Sequence, residues 1–101
     1  MKRHEYFVYI LTNFKKTVLY IGMTNDLISR LNQHREKFNP ESFTAKYQCK
    51  YLVHWETYQY VQDAIAREKE IKKWRREKKE NLINEFNPKW KFLNEEVGGY
   101  L

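Results

Sequence analysis

The chain has 101 residues, with 19 Lys and Arg against 13 Asp and Glu for a net charge of +6, a pI near 9.4 and a mean hydropathy of -0.90. One domain of this length buries roughly 65% of its unfolded surface, enough for one sheet with a few helices but not for a second catalytic domain. No run approaches the ~18 apolar residues of a membrane-spanning helix, and the basic excess favours an anionic partner, nucleic acid being the commonest.

Met1-Lys2-Arg3-His4 leads into a strand-like segment rather than an apolar leader, so the expected location is the cytoplasm. Cys49 is the single cysteine and reads as a half-buried small residue, which leaves no internal disulfide and no thiolate zinc cluster. The histidines at 4, 34 and 54 have no paired metal-ligand spacing.

From Glu5 to Leu11, Tyr6, Val8 and Ile10 alternate with Phe7, Tyr9 and Leu11, the pattern of a central strand. Thr12 to Lys16 reads as a loop, and Thr17 to Gly22 as the second strand of a hairpin. With Val8, Ile10, Leu19 and Ile21 facing one core, period-two alternation places Tyr9 and Tyr20 together on the opposite face. Thr24-Asn25-Asp26 supplies N-cap chemistry for a helix from Leu27 to about Lys37. On it Arg30 and His34, four apart, stack one turn above the other.

Asn39-Pro40-Glu41-Ser42 stops that helix, and the stretch to Lys50 reads as polar and irregular, anchored by Phe43 and Tyr47. Tyr51 to Thr57 is a third strand. From Val61 to Trp74 the positions Val61, Ala64, Ile65, Ile71 and Trp74 recur at helical spacing, and Glu68 interrupts that apolar stripe. A carboxylate there needs a cation, a metal ion or hydrogen-bond donors as company, because burying it alone costs several kcal/mol.

Arg67, Lys69, Lys72, Lys73, Arg75, Arg76, Lys78 and Lys79 crowd thirteen residues, a density that repels itself unless an anion neutralises it. A break near Trp74 to Arg76 is expected, because Leu82, Ile83 and Phe86 start a new apolar stripe. Asn87-Pro88 ends the last helix, Trp90 and Leu93 fold back as a clasp, and the segment with Gly98-Gly99 is read as a mobile tail.

Val8-Tyr9-Ile10, then Leu19-Tyr20-Ile21-Gly22-Met23-Thr24, then Leu27, Arg30, Leu31 and His34 resemble the GIY-YIG nuclease signature. Arg67-Glu68 followed by Ile71-Lys72-Lys73-Trp74 resembles the second motif of that family. The likeness runs from Tyr6 to about Leu93 and is closest to small stand-alone bacterial members. It implies an α+β fold, with a three-stranded antiparallel sheet flanked by helices in the order ββαβαα, over residues 1–94, and a flexible tail over 95–101. It also implies hydrolysis of nucleic-acid phosphodiesters, in DNA repair or nucleic-acid processing, with Mg2+ or Mn2+ as cofactor. By position Glu68 would hold the metal, Arg30 would bind the scissile phosphate and Tyr20 would help deprotonate the attacking water. Tyr9 would orient water or phosphate, and His34 would carry a proton or bind phosphate.

The residues also suit that chemistry on their own terms. One carboxylate is a sufficient protein contribution to a magnesium site, since this ion keeps several waters. Arg30 offers a fork matched to phosphate oxygens. A tyrosine with its ordinary pKa of ~10 is a poor base at neutral pH without a nearby cation or metal, whereas a histidine near ~6.5 needs no such help. Tyr20 and His34 therefore both stand as candidate bases.

Two departures bear on this. Phe7-Val8-Tyr9 stands where the family name has Gly-Ile-Tyr, and Met23 stands where some members carry a lysine that lowers the tyrosine pKa. Asn87 matches either a polar active-site residue or a routine helix stop. Each candidate also has an ordinary reading. Tyr9 and Tyr20 pair well across strands, Arg30 and His34 suit a solvated helix edge, and Glu68 suits a salt bridge to Arg30.

Lys69, Lys72, Lys73, Arg76 and Lys79 read as a phosphate-tracking run beside the site or as a solvated helix face. Phe43 and Tyr47 are candidates for stacking on unpaired bases. The leading expectation is a metal-dependent endonuclease, structure-selective or weakly sequence-specific, acting on DNA in preference to RNA, with room for a protein partner that supplies specificity. The alternatives are a nucleic-acid-binding module of the same fold without turnover, and a domain docking on an acidic protein.

Overall fold

The computed structural model describes residues 5–36 and 39–99. The N-terminal segment through His4, the expected helix end at Lys37 and the last two residues of the tail lie outside the described residues. Three strands, β1 (Tyr6–Thr12), β2 (Leu19–Thr24) and β3 (Tyr51–Tyr58), form an antiparallel sheet in the order β2-β1-β3. Between β2 and β3 come α1 (Leu27–Arg35) and a single turn, α2 (Phe43–Lys46); after β3 come α3 (Val61–Lys73) and α4 (Arg76–Phe86). The order differs from ββαβαα only by α2, in the stretch read as irregular.

The alternation in β1 places one core on each face of the sheet. Val8 and Ile10 pack with Ile21, Val53, Ala64, Ile71 and Ile83 beneath α3 and α4. Tyr9 and Leu11 pack with Leu27, Leu31, Leu52 and Leu93 on the α1 side. The central strand is thus buried on both faces, which is why it reads as a continuous apolar run. A bulge between Ile10 and Leu11 lets Val53 face one core while Leu52 faces the other.

β2 begins two residues later than the sequence suggests. The Asn13 carboxamide oxygen accepts from the backbone N–H groups of Thr17 (2.8 Å) and Val18 (3.1 Å), holding both in the loop. α1 starts where Asp26 caps Ser29 N–H at 3.0 Å. α3 and α4 are separated by Trp74 and Arg75, both with extended backbone.

The chain after α4 ties itself to the outer side of β3. Asn94, fully buried, accepts from Leu52 N–H at 2.8 Å and donates to the Lys50 carbonyl at 2.9 Å, and Leu93 N–H donates to the Leu52 carbonyl at 2.7 Å. Asn87 donates to the carbonyls of Val53 (3.1 Å) and Lys91 (2.8 Å) and accepts from Lys91 N–H (3.0 Å). Asn87 therefore clamps the chain after α4 to β3. The segment read as a mobile tail takes a 3-10 turn over Glu95–Val97, with Val97 against the α1-side core and Gly99 buried. Among the described residues no helix is long and apolar enough to cross a membrane.

Candidate active site

β1–β2 pairing sets Tyr9 directly across from Gly22. Tyr9 is fully buried, and its phenol lies over Gly22 in space that a Cβ there would fill. The ring meets Tyr20 at 6.4 Å and His34 at 6.0 Å between centroids. Burial, and then the neighbouring Tyr20, push the Tyr9 pKa well above the ordinary phenol value, against the opposing pull of the Arg30 guanidinium beside it; the Glu68 charge adds to the rise. Tyr9 remains protonated at neutral pH, and its buried hydroxyl meets His34 and lies beside the Arg30 guanidinium.

His34, two turns along α1, has both ring nitrogens engaged: Nε2 lies 3.1 Å from the Tyr9 hydroxyl and Nδ1 lies 2.9 Å from Thr44 Oγ1. Thr44 Oγ1 is in turn 3.2 Å from Ser42 Oγ. Among the described residues the Tyr9 hydroxyl has no other acceptor. The arrangement that leaves no buried donor orphaned has Tyr9 O–H donating to Nε2, Nδ1–H donating to Thr44, and Thr44 O–H donating to Ser42. Burial, and then the Arg30 charge, lower the His34 pKa to about 4. A histidine in this state is neutral at neutral pH and held at both ring nitrogens.

The short α2 helix is what delivers Thr44 to His34. Ser42 caps it by accepting from Ala45 N–H at 3.2 Å, and the Thr44 carbonyl accepts from Cys49 N–H at 2.8 Å. Thr44 and Ser42 escaped the sequence reading because a four-residue helix carries no periodicity.

Tyr20, Arg30, Gln33, His34, Phe43 and Thr44 line a cleft of about 270 Å³. Arg30 is half-buried there and forms no ion pair with a carboxylate among the described residues. A guanidinium in that state is a ready anion site. The Tyr20 hydroxyl, half-buried beside it, makes no hydrogen bond among the described residues and so is available to a ligand.

Glu68 sits on α3 with its side chain 21% exposed and pairs with Lys72 at 3.4 Å rather than with Arg30. Its charge reaches the Tyr9 phenol, so the carboxylate lies in the same electrostatic neighbourhood as Arg30 and Tyr20. Among the described residues no group of three or more His, Cys, Asp or Glu could cage a metal. A single carboxylate with one exchangeable lysine partner fits an open magnesium or manganese site completed by water and substrate oxygens.

The residue before Glu68 turns to a different task. Arg67 donates to both carboxylate oxygens of Glu56, at 2.9 and 3.2 Å, and Glu56 also bonds Tyr58 at 2.6 Å and His54 at 2.7 Å. Burial would raise the Glu56 pKa, but hydrogen bonds from His54, Arg67 and Tyr58 outweigh it and hold the carboxyl at about 2. This network fastens α3 to β3 one residue from Glu68. Sequence reading placed Arg67 among the basic run because its partner lies eleven residues back on a strand.

Lys69, Lys72 and Lys73 are exposed on α3, and Lys79 is half-buried on α4. Arg76, grouped with them in the sequence, instead donates to the carbonyls of Thr17 (2.6 Å) and Lys16 (3.3 Å) and pairs with Glu80 at 2.9 Å. It straps α4 to the β1–β2 loop, because its guanidinium reaches the carbonyls that the left-handed turn at Lys16 exposes.

Residues 5–81 match the GIY-YIG catalytic domain. The chain belongs to the GIY-YIG family. GIY-YIG domains are nuclease domains, so nucleic acid is the substrate class of the family. The GIY-YIG fold of this chain is also similar to the solution NMR structure of a UPF0213 protein from Bacillus halodurans. The two are 23% identical, with a TM-score of 0.57, over 95% of this chain and 99% of that one. No curated protein matches it.

Proposed function

We propose that this GIY-YIG protein is a divalent-metal-dependent endonuclease that selects nucleic-acid structure rather than sequence. The observation that carries this reading is the half-buried Arg30 guanidinium, without a carboxylate partner among the described residues, in one cleft with the Tyr20 hydroxyl.

Arg30 binds non-bridging oxygens of the scissile phosphate and neutralises the charge that accumulates there as the nucleophile attacks. Tyr20 orients the attacking water through its uncommitted hydroxyl. Tyr9, His34 and Thr44 do not touch the reacting atoms: they form a strut that fixes the tyrosine face and the wall of the cleft. Glu68 would hold the Mg2+ or Mn2+ ion, which supplies charge neutralisation and a more acidic water when bound. Lys69, Lys72 and Lys73 contact the phosphate backbone beside the cleft, interactions that carry no sequence information.

The test is cleavage of labelled single-stranded, duplex, flapped and branched DNA and RNA, with Mg2+ or Mn2+ against chelator. Wild type should cut only with metal, Glu68→Ala should be inactive, and Arg30→Ala should lose about a hundredfold or more. Binding without cutting in wild type would make the chain a non-catalytic module instead. Cutting that persists in Glu68→Ala would remove the assignment of the metal ligand.

A further inference from the structure

We infer that the cleft holds an unpaired nucleobase next to the scissile phosphate, stacked on Phe43 with Tyr47 backing that ring, so that the enzyme acts where a base is free of its complement. This deepens the proposed nuclease site and rests on Arg30 as its phosphate ligand.

Phe43 and Tyr47 are 45% and 52% exposed, and their ring centroids are 4.6 Å apart. Phe43 also lies nearly parallel to Tyr20, at 6.0 Å and 28°. An aromatic row therefore runs from the proposed reacting centre out to solvent. Its carrier is rigid: α2 buries Thr44 and Ala45, is capped by Ser42, and is braced by the His34–Thr44 contact. The rings are presented by a held turn rather than by a loose loop.

The composition of the cleft selects the occupant. At about 270 Å³ it falls just below the roughly 300 Å³ lower limit of ordinary small-molecule sites, which suits one planar ring system. Arg30 supplies the phosphate contact, Phe43 supplies an aromatic face in the same cleft, and the exposed Gln33 amide offers a donor and an acceptor to a base edge. A phosphate cation beside a stacking surface, on a chain of net charge +6, matches a nucleotide. Two rings are too small an apolar area for a stable protein partner. In a duplex the base faces are already stacked and the edges paired, so the site takes only an unpaired nucleotide or one swung out of the helix.

The experiment is binding, measured by fluorescence anisotropy in chelator so that nothing is cut, of one labelled DNA oligonucleotide as a single strand and as a duplex. Wild type should favour the single strand. The double variant Phe43→Ala/Tyr47→Ala should lose about tenfold or more for the single strand, with duplex affinity and salt dependence unchanged. Phe43→Trp should retain the preference. A 2-aminopurine base in the single strand should be quenched by wild type and not by the double variant. Equal losses for both forms, no loss, or quenching independent of the two rings would overturn the inference. Because both side chains are exposed, the variants should keep the wild-type urea midpoint. A protein that cuts but binds both forms alike keeps the nuclease reading and loses the base site; one that never cuts but shows the ring-dependent preference does the reverse.

Discussion

Gly22 lies under the phenol of Tyr9, and the two are direct partners in the β1–β2 ladder. A methyl group at residue 22 would overlap the Tyr9 hydroxyl and the ring carbon that bears it. The glycine is needed for space and not for an unusual backbone angle, since Gly98 is the glycine with positive φ among the described residues.

Gly22→Ala should therefore push Tyr9 off His34. Overpacking of this kind costs about 1–3 kcal/mol, so the urea midpoint should fall and any cleavage activity should fall with it. A variant with wild-type stability and an undisturbed Tyr9–His34 contact by NMR would show that the strand relaxes instead.

Glu68→Gln should separate stability from function. The ion pair to Lys72 is an i,i+4 pair at the helix surface, worth about 0.3–0.5 kcal/mol. Thermal unfolding should hardly change, whereas metal-dependent cleavage should disappear and stabilisation by added Mg2+ or Mn2+ should be lost. Metal stabilisation undiminished in the variant would place the ion elsewhere.

Acid should weaken the fold in two stages. His34 titrates at about 4 in the folded chain against 6.5 ordinarily, so the unfolded chain binds more protons between those values. The stability associated with the neutral imidazole is complete above about pH 6.5 and is lost as pH falls toward 4. Glu56, held at about 2 against 4.5, contributes stability that is complete above its ordinary value and is lost toward pH 2. Denaturation midpoints measured from pH 7 down to 4.5 should fall in wild type and fall less steeply in His34→Gln. Parallel profiles would mean that His34 is not the responsible group.

Lys69 and Lys73 should differ from Arg76 in what they report. Lys69→Ala/Lys73→Ala should reduce the salt dependence of DNA binding by about 2 in log–log slope, about 0.9 per phosphate contact, without lowering stability. Arg76→Ala removes two hydrogen bonds to loop carbonyls and should cost about 1–2 kcal/mol of stability. A larger change in salt slope from Arg76→Ala than from the lysine pair would reverse these assignments.

What could be read from the chain and what could not divide along sequence separation. The alternation of Val8 to Leu11 and the stripe from Ala64 to Ile71 depend on neighbours, so the sheet, its two faces and the helix bearing Glu68 were legible. Tyr9 and Tyr20 came out on one face for the same reason. The contacts that define the site's chemistry join distant residues: His34 meets Tyr9 across 25 positions, and Arg76 meets Thr17 across 59. No periodicity encodes such pairs, so the partners that hold His34 and Arg76 could not be read from the chain. The α2 turn was lost because one turn of helix has no repeat to detect.

The asparagines after α4 have a consequence for how copies of this protein behave toward one another. β3 is a rim strand, and a rim strand offers its peptide groups to any other strand that arrives. Here the Leu52 N–H and the carbonyls of Lys50, Leu52 and Val53 are already taken by Asn94, Leu93 and Asn87 of the same chain. The outer edge of β3 is thus already paired at Leu52 and Val53, and a strand arriving at that end would have to displace Asn94, Leu93 and Asn87 before it could pair.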